Sequence, residues 1–255
     1  MHIGHCEYLH ESEANLAIWK ESLFAVEFFL LHTSPIYYGL AVPKGDQSAV
    51  ITIPGLLAKD DHLSHMCAWL GLIGYRPYRS GIEFNDDCPN HLIKNYISRT
   101  IDVARRETGR RVHLIGHSLG GILARSIAAQ RPNDVASVIT IASPFRGAVA
   151  HRNVLRVVKT VRSQIAKHRG PSVSPNCYRG HCECRFARHL RSGVPRSVIQ
   201  TAIYTYNDGI VDWRYCITGD PELDFEAPGT HIGLVVNASV YSIIAKRLAQ
   251  THSSK

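Results

Sequence analysis

The strongest constraint in this chain is six residues long. Gly116-His117-Ser118-Leu119-Gly120-Gly121 lies between a run that is apolar and β-branched at both ends, Val112 to Ile115, and a helix-forming segment, Leu119 to Gln130. A serine on so tight a strand-to-helix turn has its hydroxyl pushed out above the sheet. The backbone there is strained, and bulk two residues before or after the serine clashes with neighbouring chain; glycine at 116 and 120 removes the clash. The helix that begins at the turn aims its N-terminus at the same spot, where free N–H groups favour a developing negative charge. G-x-S-x-G by itself also describes an ordinary glycine-rich turn before a helix. The strand before it and the helix after it are what single out Ser118 as a candidate nucleophile.

The rest of the chain supplies the sheet that such a turn requires. Glu11 to His32 reads as a helix, with Leu16, Trp19, Leu23, Val26 and Leu30 recurring at three- and four-residue steps, stopped by Ser34-Pro35. Ala49 to Ile53 is a buried-strand run broken by Pro54-Gly55. A helix over His62 to Ile73 closes on Gly74, a strand follows over Tyr75 to Arg79, and Pro89 to Thr108 is a helix ended by Gly109. Val135 to Ile141 and Val198 to Tyr204 read as strands, Leu223 to Glu226 as a short one, and Val236 to Gln250 as the last helix. Strands alternating with helices, without an internal repeat, predict an α/β fold: a mainly parallel sheet with helices on both faces. The 255 residues, 45% hydrophobic, are expected to form a single domain, 1–255.

Charge is concentrated in one place. Residues 151–191 hold ten Lys/Arg and one acid, Glu183, while the rest of the chain carries 19 basic and 20 acidic residues. The net charge of +8 therefore belongs to a local insertion and not to the whole surface. Tyr178 and Phe186 are its only aromatics, with no nucleic-acid-binding signature, so no nucleic-acid partner is expected. The apolar stretch Ala17 to Leu31 carries Lys20, Glu21 and Glu27, which fits a soluble helix better than a membrane span. Met1 to His10 has no Lys or Arg and leads into no clean apolar run, so a secretory leader is not expected and the cytoplasm is.

In this kind of sheet a serine nucleophile is followed in the chain by an acid and then a histidine. After position 208 only His231 and His252 remain, and His252 lies in a polar tail. His231, in Pro228-Gly229-Thr230-His231-Ile232-Gly233, is thus the candidate base. Asp208 follows a strand and precedes Gly209, at the strand end where catalytic loops gather. It is preferred as the acid over Asp212, four residues on. Two N–H donors are needed for an oxyanion: Leu119, next to the nucleophile, and Leu56, in the loop after the first central strand.

Together, Gly116–Gly121, Tyr206-Asn207-Asp208-Gly209-Ile210-Val211 and Gly229–Gly233 resemble bacterial α/β-hydrolase-fold lipases and esterases. Ile53-Pro54-Gly55-Leu56, Gly74-Tyr75 and Ser143-Pro144-Phe145 also fit, and the resemblance runs over most of 34–250. It implies Ser118, Asp208 and His231 as a triad, with Leu56 and Leu119 as oxyanion donors. One departure is Pro54-Gly55, where many lipases have His-Gly. Residues 146–191 occupy the place of a helical lid, giving a short basic lid or cap insertion. A cationic cap at 151–191 offers contact with an anionic lipid surface.

The triad needs neither cofactor nor metal. Cys177, His181, Cys182, Cys184 and His189 lack the paired C-x2-C spacing of common zinc modules, so a disulfide or buried thiols is the reading there. The expected function is ester hydrolysis of a small-molecule or lipid substrate through an acyl-enzyme. Acyl transfer or lactone opening would use the same three residues. A catalytically silent binding module would typically have lost one of them.

Overall fold

The computed structural model describes residues 11–170 and 184–251. In chain order its strands and helices are β1 (Glu11–Ala14), α1 (Phe24–Thr33), β2 (Ala49–Ile53), α2 (Ser64–Leu72), β3 (Arg76–Arg79), α3 (Pro89–Leu92), α4 (Ser98–Thr108), β4 (Val112–His117), α5 (Leu119–Gln130), β5 (Val135–Ile141), β6 (Ala148–His151), α6 (Arg152–Arg169), α7 (Arg185–Ser192), β7 (Ile199–Tyr204), β8 (Asp224–Glu226) and α8 (Ala238–Gln250). A π turn, Ile93–Ile97, joins α3 to α4, so the helix expected over Pro89 to Thr108 continues through a widened turn.

Six strands form one sheet in the order β3-β2-β4-β5-β7-β8, every neighbouring pair parallel. The chain steps outward from β2 to β3, then returns to the other side of β2 with β4. The sheet therefore reverses its winding direction between β2 and β4, and a crevice opens there at the carboxyl ends of the strands. Burial on both sides explains the mainly apolar runs: all of β2 and all of β4 are buried. Side chains alternate between two cores. Ile51, Ile53 and Leu114 pack with α4, α5 and α7 on one face, while Val50, Ile115 and Ile141 pack with α2 and α8 on the other.

The N-terminal segment departs from expectation. Its first residues form β1, which pairs in parallel with β6, a strand hidden in the sequence at the entrance to the basic stretch. A 3-10 turn, Ile18–Leu23, then leads into α1. The stripe predicted to face the core points outward: Trp19 is 68% exposed, Val26 54% and Leu30 57%. Phe24, Phe28 and Leu31 pack inward instead. The physical reason is that this segment is apolar on nearly every side, so periodicity alone could not choose its buried face. Glu21 and Glu27 are what turn it, because both carboxylates bond to backbone N–H groups inside.

Cys177, His181 and Cys182 lie outside the described residues, as does His252. Cys184 sits at the N-cap of α7, where its sulfur accepts from the Ala187 N–H. The His189 ring bonds the Arg185 carbonyl one turn back.

Candidate active site

Ser118 stands between β4 and α5 with φ 52° and ψ −122°, a conformation that costs a non-glycine residue free energy and persists only where the surroundings impose it. Close packing imposes it here. A Cβ on Gly116 would fall 2.4 Å from the Gly120 carbonyl, and one on Gly120 would fall 2.2 Å from the Ile53 carbonyl oxygen. The elbow is thus wedged against the end of β2, and only hydrogen at 116 and 120 permits it. The Ser118 N–H donates to the Ile141 carbonyl at 2.8 Å, tying the turn to β5 as well.

Asp208 follows β7. Its Oδ1 accepts the N–H groups of Ile210 (2.9 Å) and Val211 (2.8 Å), which closes a tight turn and leaves Oδ2 free to face another loop. That oxygen is 2.7 Å from Nδ1 of His231, on the loop between β8 and α8. Asp208 is 6% and His231 3% exposed, so this is a buried acid–imidazole pair whose carboxylate oxygens are both satisfied, the condition under which burial of such a pair is tolerated. Burial opposes the imidazolium. The Asp208 charge and hydrogen bond, with Glu21 behind, outweigh it and raise the His231 pKa above the ordinary histidine value. Asp212, the rival acid, is turned to the Arg214 guanidinium at 2.6 Å. Burial works against its ionisation, but the Arg214 hydrogen bonds more than compensate and hold its carboxyl below the usual range.

Ser118 and His231 line the same cavity, of about 470 Å³. Among the described residues the Ser118 hydroxyl makes no hydrogen bond, so the serine–histidine link is open in this structure. Leu56 and Leu119 line the cavity too. Neither N–H has a partner among the described residues, whereas the next one, Leu57 N–H, is held by the Asn85 carbonyl at 2.9 Å. A Cβ on Gly55 would fall 3.2 Å from the Ser118 Cβ, which fixes how tightly the Leu56 loop lies against the elbow. The remainder of the wall is mostly apolar and comes largely from α6 and α7, with Val154, Val157, Val158, Val161 and Leu190 among its residues.

Several residues that sequence reasoning passed over belong to this site. His117 Nε2 donates to the His231 carbonyl at 3.0 Å. A carbonyl can only accept, so the proton is on Nε2, and the buried Nδ1 is left without a partner among the described residues. Complete burial, then the charges of His231 and His62, hold the His117 pKa well below the usual range, so this ring is neutral. His62 also lines the cavity, and burial followed by His231 lowers its pKa. Glu27 accepts both the N–H and the hydroxyl of Thr230, at 2.6 and 2.7 Å. In the sequence, Glu21 and Glu27 carry no signal beyond that of charges on a helix; only the fold brings them to residues some two hundred positions away.

A parallel sheet with a strained serine at its winding reversal, and an Asp–His pair on the loops after its later strands, is the α/β-hydrolase fold, and the chain has it. The family described as PGAP1-like alpha/beta domain matches residues 82–182. A triacylglycerol lipase of Pseudarthrobacter phenanthrenivorans is 33% identical over 120 residues, covering 44% of this chain and 37% of that lipase. A triacylglycerol lipase of Burkholderia plantarii is 33% identical over 120 residues, covering 44% of this chain and 33% of that one. The match thus spans about a third of the length of these curated relatives. Among solved structures, a monoglyceride lipase from Saccharomyces cerevisiae superposes with a TM-score of 0.55 at 13% identity, covering 82% of this chain and 90% of that one. No helix among the described residues is long and apolar enough to cross a membrane.

Proposed function

We propose that this chain is a carboxylic-ester hydrolase that works through an acyl-enzyme on Ser118. The observation that carries the reading is the buried 2.7 Å contact between Asp208 and His231, opening on the cavity that also receives the strained serine. In the mechanism, Ser118 Oγ attacks the ester carbonyl while His231 Nε2 takes its proton. Asp208 holds the imidazole with Nδ1–H toward Oδ2, which leaves Nε2 as the acceptor, and it stabilises the imidazolium that forms. The N–H groups of Leu56 and Leu119 receive the oxyanion. The alcohol leaves with the proton from His231, water then adds to the acyl-enzyme with His231 as base, and the acid is released.

The apolar wall fits the hydrocarbon part of an acyl ester better than a charged substrate. Residues 146–191 would form a cap within a single domain, a reading supported by α6 and α7 lining the cavity. The lipases that this chain resembles act on glycerides by name, and two features favour an ester presented at a lipid surface. Arg152, Arg156, Lys159 and Lys167 of α6 are exposed, and that helix carries no acid. The outer face of the N-terminal segment exposes Trp19, Leu23, Val26, Phe29 and Leu30, while Glu21 and Glu27 are engaged inside. An exposed apolar face and a cationic helix both suit an anionic lipid surface.

The test is direct. Purified protein should hydrolyse p-nitrophenyl butyrate and react with a fluorophosphonate probe, and Ser118→Ala should abolish both. Activity retained by Ser118→Ala would refute the assignment. A protein that binds esters but takes no probe would be a silent module.

A further inference from the structure

One side chain outside the three residues of the proposed triad touches the loops of two of them. Glu21 lies in the 3-10 turn Ile18–Leu23, far from both loops in the chain. Its Oε1 accepts the N–H groups of Gly209 (3.0 Å) and His231 (3.2 Å), and its Oε2 accepts that of Ile232 (2.9 Å). Gly209 directly follows Asp208. A single carboxylate therefore bridges the loop of the acid and the loop of the base. The approach is close: a Cβ on Gly209 would fall 2.8 Å from the Ala17 carbonyl oxygen and 2.9 Å from Glu21 Oε1.

We propose that Glu21 is a positioning residue that holds the Asp208 and His231 loops at their working separation, which makes the N-terminal segment a structural part of the active site. The inference rests on the hydrolase reading above. Three N–H donors to one carboxylate fix two loops that otherwise share the Asp208–His231 contact and a bond from Thr205 Oγ1 to the Gly229 carbonyl at 2.7 Å. The charge matters as well as the bonds. The groups facing His231 are Asp208 and Glu21, both carboxylates, and the rings of His117 and His62, with Glu27 one residue away on Thr230. His117 is neutral and His62 is pushed toward neutrality, so neither ring sets a positive charge against the two carboxylates. Glu21 thus favours the imidazolium that forms as Ser118 gives up its proton.

The experiment uses the full chain and the near-isosteric Glu21→Gln. One readout is the pH titration of the His231 ring by NMR of histidine-labelled protein; the other is kcat and KM for p-nitrophenyl butyrate across pH, with kcat referred to sites titrated by fluorophosphonate. Loss of the charge should lower the His231 midpoint. The acidic limb of kcat/KM should move with it, kcat per labelled site should fall roughly ten- to a hundredfold, and KM should change little. A merely structural role would reduce the number of labelled sites and leave both the midpoint and kcat per site at wild-type values, and that result overturns the inference. Should Glu21→Gln not fold, Glu21→Asp serves in its place: too short to reach both loops, it should lower kcat per labelled site, and an unchanged value would count against the bridge. The NMR titration decides the coupling whether or not wild-type protein hydrolyses esters, so failure of the hydrolase reading and failure of this inference are separate results.

Discussion

Asp208 and Asp212 stand four residues apart and are both buried, yet their partners divide them. Asp208 spends one oxygen on its own turn and offers the other to His231, while Asp212 is neutralised by Arg214. This division predicts a pH profile. His231 must be neutral to accept the serine proton, and its pKa is raised, so hydrolysis should fall as pH drops through a midpoint above about 6.5. In Asp208→Asn the raising partner is gone. The acidic limb should move to lower pH, and kcat should fall by about 10⁴-fold. Asp212→Asn should leave the limb in place; a shift there equal to that of Asp208→Asn would mean the wrong acid has been chosen. The two aspartates could be ranked from sequence because Asp-Gly marks a turn just after a strand. His117, Glu21 and Glu27 could not, because their roles consist of hydrogen bonds to backbone groups across the fold, which no local pattern encodes.

Among the elements, the legible ones are those whose environment is uniform. β2, β4, β5 and β7 lie inside the sheet and therefore appear as short runs rich in apolar and β-branched residues. β1 and β6 are short, partly exposed and paired across more than a hundred residues, so neither leaves a periodic trace. The helix expected over Glu11 to His32 shrinks to α1 and turns its other face inward, because apolar residues surround it. The β4–α5 elbow gives the sharpest stability prediction. Gly120→Ala drives a methyl into the Ile53 carbonyl at 2.2 Å and should destabilise the fold by about 3 kcal/mol, the upper end for overpacking, read by denaturant unfolding. A wild-type midpoint would show that the elbow is looser than described. The exposed face of the N-terminal segment gives another. Trp19→Ser with Phe29→Ser should reduce cosedimentation with phosphatidylglycerol vesicles severalfold, because two large apolar side chains are withdrawn from contact. Hydrolysis of soluble p-nitrophenyl butyrate should be unaffected, and unchanged vesicle binding would remove this face from any lipid contact.

At the scale of the whole molecule, the sheet order determines where chemistry can occur. Winding reverses between β2 and β4, and the loop after β2 and the elbow after β4 meet at that point. The later strands β7 and β8 then deliver Asp208 and the His231 loop from one side, and the N-terminal segment grips both loops from outside. α6 and α7 complete the cavity from the basic stretch, so the same residues that carry most of the net charge also provide an apolar wall on their inner side. Ser118, Asp208, His231, Leu56 and Leu119 are scattered over some 175 positions and come to one cavity or to its immediate wall.

The measurement that bears most directly on this account is mass spectrometry of the protein quenched early in its reaction with an activated ester. An acyl group should be found on the peptide containing Ser118, and it should fail to accumulate in His231→Ala. Turnover with no adduct on Ser118, or an adduct on another residue that survives Ser118→Ala, would contradict it.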